Sequence, residues 1–99
     1  MYFFRSSGQY LGFIIDTTIF SWNGQYLGWI EDEYVWDKQG QFTGELKEID
    51  NHFYILKNSY ALPPIPKAPR LNPLSVISVP APQANIPPIT LKIGWKDGF

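Results

Sequence analysis

His52 is the only histidine in a chain that has no cysteine, so imidazole chemistry has one site and thiolate chemistry none. A nucleophilic triad needs a hydroxyl or thiol held against a base, and no serine here stands in a nucleophile-elbow context. His52 reads as a turn or strand-entry residue. Glu31-Asp32-Glu33 sets three carboxylates in a row, the donor type that Ca²⁺ or Mg²⁺ takes. The spacing is not that of an EF-hand loop, and alternate strand residues point to opposite sides, so the run reads as a solvated connection. Neither a metal nor any other cofactor is expected. Trp22, Trp29 and Trp36 are better placed for function, because tryptophans on one face of a sheet stack on sugars, bases or prolines. Gln9, Gln25 and Gln41 recur beside them and form either a polar ring or a set of amides that satisfy turn backbone. These six residues are the candidate ligand-binding set, and no catalytic set accompanies them.

A repeat positions all six. Gly8 and Gly12, Gly24 and Gly28, Gly40 and Gly44 each lie sixteen residues before their counterparts, and Gly8-Gln9-Tyr10-Leu11-Gly12 returns as Gly24-Gln25-Tyr26-Leu27-Gly28 and as Gly40-Gln41-Phe42-Thr43-Gly44. Asn23-Gly24 is a strong hairpin signal, since a two-residue type I′ turn needs φ > 0 at both positions. Ser7-Gly8 and Gln39-Gly40 occupy the equivalent sites. Pairing outward from Asn23-Gly24 sets Phe20 opposite Leu27 and Ile19 opposite Gly28. The predicted core face then holds Phe3, Ile19 and Val35, with Tyr10, Tyr26 and Phe42, and with Ile14, Ile30 and Leu46. Phe4, Phe20 and Trp36 fall on the opposite face and recur by unit as a structural second layer would, while the outer positions of that face vary between units and read as partly solvated. Glycine in mid-strand at Gly12, Gly28 and Gly44 marks a bend or a close backbone approach.

A fourth copy is shifted by eighteen residues, with Phe53-Tyr54 matching Val35-Trp36, a turn at Lys57-Asn58, Tyr60 matching Phe42, and Leu62 where glycine should stand. The predicted fold class is all-β. Four hairpin repeats of about sixteen residues surround a pseudo-four-fold axis and form a shallow barrel over residues 1–62. All nine prolines fall within 63–88, which reads as a Pro-rich arm in extended polyproline-like conformation. Residues 89–99 follow as a C-terminal strand and tail, with Ile89, Leu91, Ile93 and Trp95 on one face.

The phrases from Tyr2 to Gly12, Phe20 to Trp29 and Trp36 to Gly44, followed by the prolines and Trp95, resemble the bacterial four-fold β-flower family over nearly the whole chain. The resemblance implies a square β-barrel with hairpins radiating like petals, and it implies no established activity. Unit four, lacking both glycines, departs from the pattern at the point where the ring must close.

Charge separates the same two parts. Residues 1–56 hold eight carboxylates against Arg5, Lys38 and Lys47, a net −5, and residues 57–99 hold five basic groups against Asp97, a net +4. The arm should therefore dock on the repeat, through Leu71, Leu74, Val76 or Ile77. A basic stripe is missing, so nucleic acid is not an expected partner. No apolar run reaches the 18 residues of a membrane span, and no basic segment precedes an apolar run at the start, so a cytoplasmic location away from membranes is expected. Seventeen aromatics supply the core, each contributing about 1.5–3 kcal/mol where fully buried. The leading functional expectation is a non-enzymatic binding module that presents aromatic surface to a protein partner, to itself or to a small ligand. Assembly through the arm and terminal strand is the alternative, and carbohydrate binding the third reading.

Overall fold

The computed structural model describes residues 1–74 and 76–99. Seven strands close into a barrel: β1 (Tyr2–Phe4), β2 (Tyr10–Ile15), β3 (Thr18–Ser21), β4 (Tyr26–Glu31), β5 (Tyr34–Asp37), β6 (Phe42–Ile49) and β7 (His52–Asn58). Consecutive strands pair antiparallel, and β1 closes on β7 in parallel, with Phe3 opposite Phe53 and Phe4 opposite Tyr54. An odd number of alternating strands leaves the first and last running the same way, so a closed ring of seven must be mixed. β8 (Trp95–Asp97) lies outside, antiparallel to the end of β7. The body is flat, 39 × 35 × 17 Å.

Turn chemistry is distributed differently from the Asn-Gly expectation. Asp32-Glu33 and Asp50-Asn51 take left-handed φ at both residues (56° and 70°, 52° and 67°), and these polar pairs make the tight two-residue loops of β4–β5 and β6–β7. At Asn23-Gly24 only the glycine has positive φ, 87°, and its N–H donates to the Ser21 carbonyl at 2.9 Å. That is a wider turn ending in a glycine bulge. Gly8 and Gly40 repeat it, donating to Arg5 and Asp37 at 2.8 and 2.9 Å.

The bulge corrects the predicted core. Ile19 does face Gly28, but Phe20 faces Tyr26 instead of Leu27, and Phe4 faces Tyr10 and Trp36 faces Phe42 in the same way. One extra residue in a strand reverses the facing of everything beyond it. Leu11 and Leu27 therefore turn inward, while Tyr10, Tyr26 and Phe42 leave the predicted core for the outer face. The interior is Phe3, Ile14, Ile19, Val35 and Ile55, joined by Leu11, Leu27, Ile30, Leu46 and Phe53 and closed by Phe99. The outer face is the second layer that Phe4, Phe20 and Trp36 suggest, and it extends to Phe13 and Trp29, whose positions read as partly solvated from the sequence. Phe13 stacks on Phe20 at 5.3 Å, Tyr34 and Trp36 meet Phe42 edge-on, and Phe13, Phe20, Trp29 and Trp36 are all buried.

Two further expectations shift at the end of the barrel. β7 runs through Lys57-Asn58 without turning, and the chain reverses only afterwards, so Tyr60 and Leu62 stand exposed instead of matching Phe42 and Gly44. The C-terminal strand narrows to Trp95–Asp97. Ile89, Leu91 and Trp95 pack on Phe4, Tyr10, Tyr54 and Leu56, whereas Ile93 is exposed.

Gly12, Gly28 and Gly44 sit where the next strand's backbone presses in. A Cβ at Gly12 would overlap the Phe20 carbonyl and lie 2.9 Å from Ser21 Cα. At Gly28 it would overlap the Trp36 carbonyl and lie 2.8 Å from Asp37 Cα, and at Gly44 it would meet the Leu56 carbonyl oxygen at 2.7 Å. Backbone cannot step aside as a side chain can. Gly28→Ala should cost about 1–3 kcal/mol, the range for overpacking, while Gln25→Ala on the surface stays within about 0.5 kcal/mol. Urea midpoints of the two variants check this, and a Gly28→Ala protein as stable as the parent would show that the approach is not tight.

Candidate functional site

The segment after β7 circles the barrel and meets its turns in reverse order. Lys67 N–H donates to the Gly40 carbonyl at 2.8 Å and Arg70 N–H to the Lys38 carbonyl at 3.1 Å. Ile77 and Val79 then pass Gly24, and Ile86 and Ile89 donate to the Gly8 and Ser6 carbonyls at 2.9 and 2.8 Å. The two docked stretches use one pattern, donors three residues apart with proline, Pro69 or Pro88, before the second. Gly8 and Gly40 lie so close to the arm that a Cβ would overlap the carbonyls of Ile86 and Lys67. β8 is held at the first turn by Asp97, whose carboxylate accepts the N–H and Oγ–H of Ser6 at 2.7 Å each.

Ile77, one of the four predicted apolar anchors, reaches the Gly24 turn, and opposite charge adds contacts that no apolar anchor supplies. Glu31 accepts Lys67 Nζ at 2.6 Å and Arg70 Nη2 at 3.1 Å. The Lys67 ammonium also lies 5.0 Å from the Trp36 ring centroid, and the Arg70 guanidinium 4.4 Å from that of Trp29, both within cation–π range. Leu71 and Val76, in contrast, are 91% and 88% exposed. The hydrogen bond from Lys67, with the two neighbouring cations, holds the Glu31 carboxyl below its ordinary range. Burial raises the Tyr26 hydroxyl, with Arg70 opposing, and that hydroxyl donates to the Arg70 carbonyl at 2.9 Å.

The candidate tryptophans therefore separate. Trp29 and Trp36, each 2% exposed, lie under Arg70 and Lys67. Trp22 is 56% exposed. Its turn is braced by a Ser21 Oγ–Asn23 Oδ1 hydrogen bond, by Gln25 N–H donating to Ser21 Oγ at 3.1 Å, and by Trp22 N–H donating to the Leu11 carbonyl at 2.9 Å. Beside the indole is a shallow depression of about 270 Å³, lined by Gln9, Tyr10, Trp22, Pro82, Gln83 and Asn85. Asn85 is fixed there, its Oδ1 accepting the Tyr10 N–H at 3.1 Å.

Of the three glutamines the structure brings only Gln9 to Trp22; Gln25 and Gln41 are exposed and line no part of that depression. The turn backbone is satisfied by Ser21 Oγ and Asp37 Oδ1 instead of by glutamine amides. His52 packs edge-on against Phe4 at 5.5 Å. In the acidic run Glu31 is committed to the arm, and Asp32 and Glu33 form the tight turn. Lys67 and Arg70 are signalled only in bulk, by the charge split, and Gln83 and Asn85 carry no sequence signal.

The sequence model of the family described as 4-fold beta flower protein matches residues 1–97. The chain belongs to that family. The resemblance drawn from its glycine phrases thus holds across almost the whole β-flower chain. No curated protein and no solved structure matches it.

Because the Glu31 pKa is depressed in the folded protein, its contribution to arm docking is fully present above the ordinary carboxylate pKa and is lost as pH falls through the depressed value. Protection factors of the Lys67 and Arg70 amides, taken against the intrinsic rate at each pH, should therefore fall in acid, and Glu31→Gln should lower them in the same way at neutral pH. Unchanged protection in Glu31→Gln would assign the docking to the backbone bonds alone.

Proposed function

We propose that this β-flower is a non-enzymatic interaction module that meets a protein partner, or a second copy of itself, through the surface around Trp22. The carrying observation is the exposed indole on a braced turn, in a molecule that covers Trp29 and Trp36 completely. Val79, also exposed, extends the apolar surface on the same turn, since it lies against Gly24. Contiguous apolar surface of this kind is typical of contact sites. No residue is assigned a catalytic role.

We also infer that the barrel strands derive from four hairpin units about a pseudo-four-fold axis. Support comes from the same turn bond at Gly8, Gly24 and Gly40 and the same carbonyl approach at Gly12, Gly28 and Gly44. Carbohydrate is a second reading of the Trp22 surface, favoured by the three amides of Gln9, Gln83 and Asn85 that share the depression with the indole. Assembly by arm exchange is the weaker alternative, because the arm's backbone bonds are already made within the chain.

Trp22→Ala should leave the unfolding free energy within about 0.5 kcal/mol of the parent and lower the native mass of the purified particle or strip a copurifying protein from it. Trp29→Ala, emptying a buried site, should cost about 3–5 kcal/mol. A loss of that size from Trp22→Ala would return the indole to the core and remove the proposed surface.

A further inference from the structure

A cleft of about 390 Å³ separates the outer face of β6 and β7 from the segment leading into β8. Ile49, Leu56 and Leu91 form its apolar surface, Trp95 a wall, and Lys47 and Lys92 its cationic groups. The apolar part belongs to the outer layer, where Leu56 is buried and Ile49, Leu91 and Trp95 pack around it. The Lys47 ammonium stands 5.3 Å from the Trp95 ring centroid, with the Glu45 carboxylate 3.7 Å away, beyond hydrogen-bonding distance. Lys47 is thus held between the Trp95 ring and a loose ion pair with Glu45, which makes no direct hydrogen bond to it. Lys92 is exposed and makes no ion pair among the described residues. Thr90 adds a hydroxyl to the lining.

Two lysines line a pocket of small-ligand size whose body is apolar. Two other clefts lack that combination. The corner with Lys38 and Arg70 has its guanidinium committed to Glu31 and Trp29, and the cleft beside His52 has no lysine or arginine in its lining. We propose that the Lys47–Lys92 cleft binds a small amphipathic carboxylate, a medium-chain or arylalkyl acid. Its apolar body lies on Leu56, Leu91 and Trp95, and its carboxylate is received by the two lysines. Charge complementarity selects the anion, and the apolar floor rejects small hydrophilic acids.

Dodecanoate is the probe, followed by displacement of anilinonaphthalene sulfonate and by calorimetry on the full chain. Saturable binding at one site is expected, with dodecanol at least about tenfold weaker, as loss of a charged hydrogen bond implies. Lys47→Met combined with Lys92→Met should weaken dodecanoate by about the same factor with the circular dichroism and urea midpoint retained. Lys38→Met, on another corner, and Trp22→Ala should bind as the parent does, which separates this site from the Trp22 surface. Absence of saturable binding, equal affinity for dodecanol, or full affinity in the double variant would each overturn the proposal.

Discussion

Backbone pressed against backbone at Gly12, Gly28 and Gly44 is the constraint on which the rest of this β-flower depends. A carbonyl of the following, paired strand occupies the space that any side chain would need, so these points of strand pairing admit glycine alone. A ring of seven short strands closes around about a dozen apolar side chains with that close approach built into it. Closure in turn removes the free sheet edges that a chain of this size would otherwise expose. The parallel pairing of β1 with β7 completes it without any glycine in β7.

The close approach and the glycine bulge act together to give the sheet two buried faces. Period-two alternation, applied from the turns outward, assigns Tyr10, Tyr26 and Phe42 to the interior, and the assignment fails at one residue per unit. The bulge places Leu11 and Leu27 inside and their preceding tyrosines outside. That consecutive Tyr-Leu pair, apolar at both positions, was the legible sign that both faces are covered. Strand order, the turn glycines and the corner glycines could be read from the sixteen-residue period because each is a local backbone requirement. The facing could not, since Asn-Gly suits both a type I′ loop and a type I turn with a bulge, and they differ by one residue of register.

The arm was legible in bulk and not in detail for a related reason. Charge and proline content mark it as an extended segment drawn to the acidic half, and Lys67, Arg70 and Glu31 meet accordingly. Its anchor points are main-chain bonds to turn carbonyls, which leave little trace in residue type. Leu71 and Val76 looked like anchors by hydropathy alone. They lie just beyond the first docked stretch, where the chain leaves the barrel surface.

Trp22 is where the demands of the fold and the identity of the residue come apart. Its counterpart one unit later is Lys38, which occupies the same place in the same kind of turn and gives its carbonyl to Arg70. A solvated lysine there preserves the bulge, the turn bond and the strand pairing, so nothing in the barrel requires an indole at the site. The corner beside Lys38 is lined by Tyr26, Arg70 and Leu71, while the corner beside Trp22 is lined by Tyr10 and the amides of Gln9, Gln83 and Asn85. The two corners share a backbone plan and differ in chemistry. A large aromatic that the fold does not need stands in water beside three amides, of which Asn85 is fixed by the Tyr10 N–H, and this mismatch is the ground on which the contact surface is proposed.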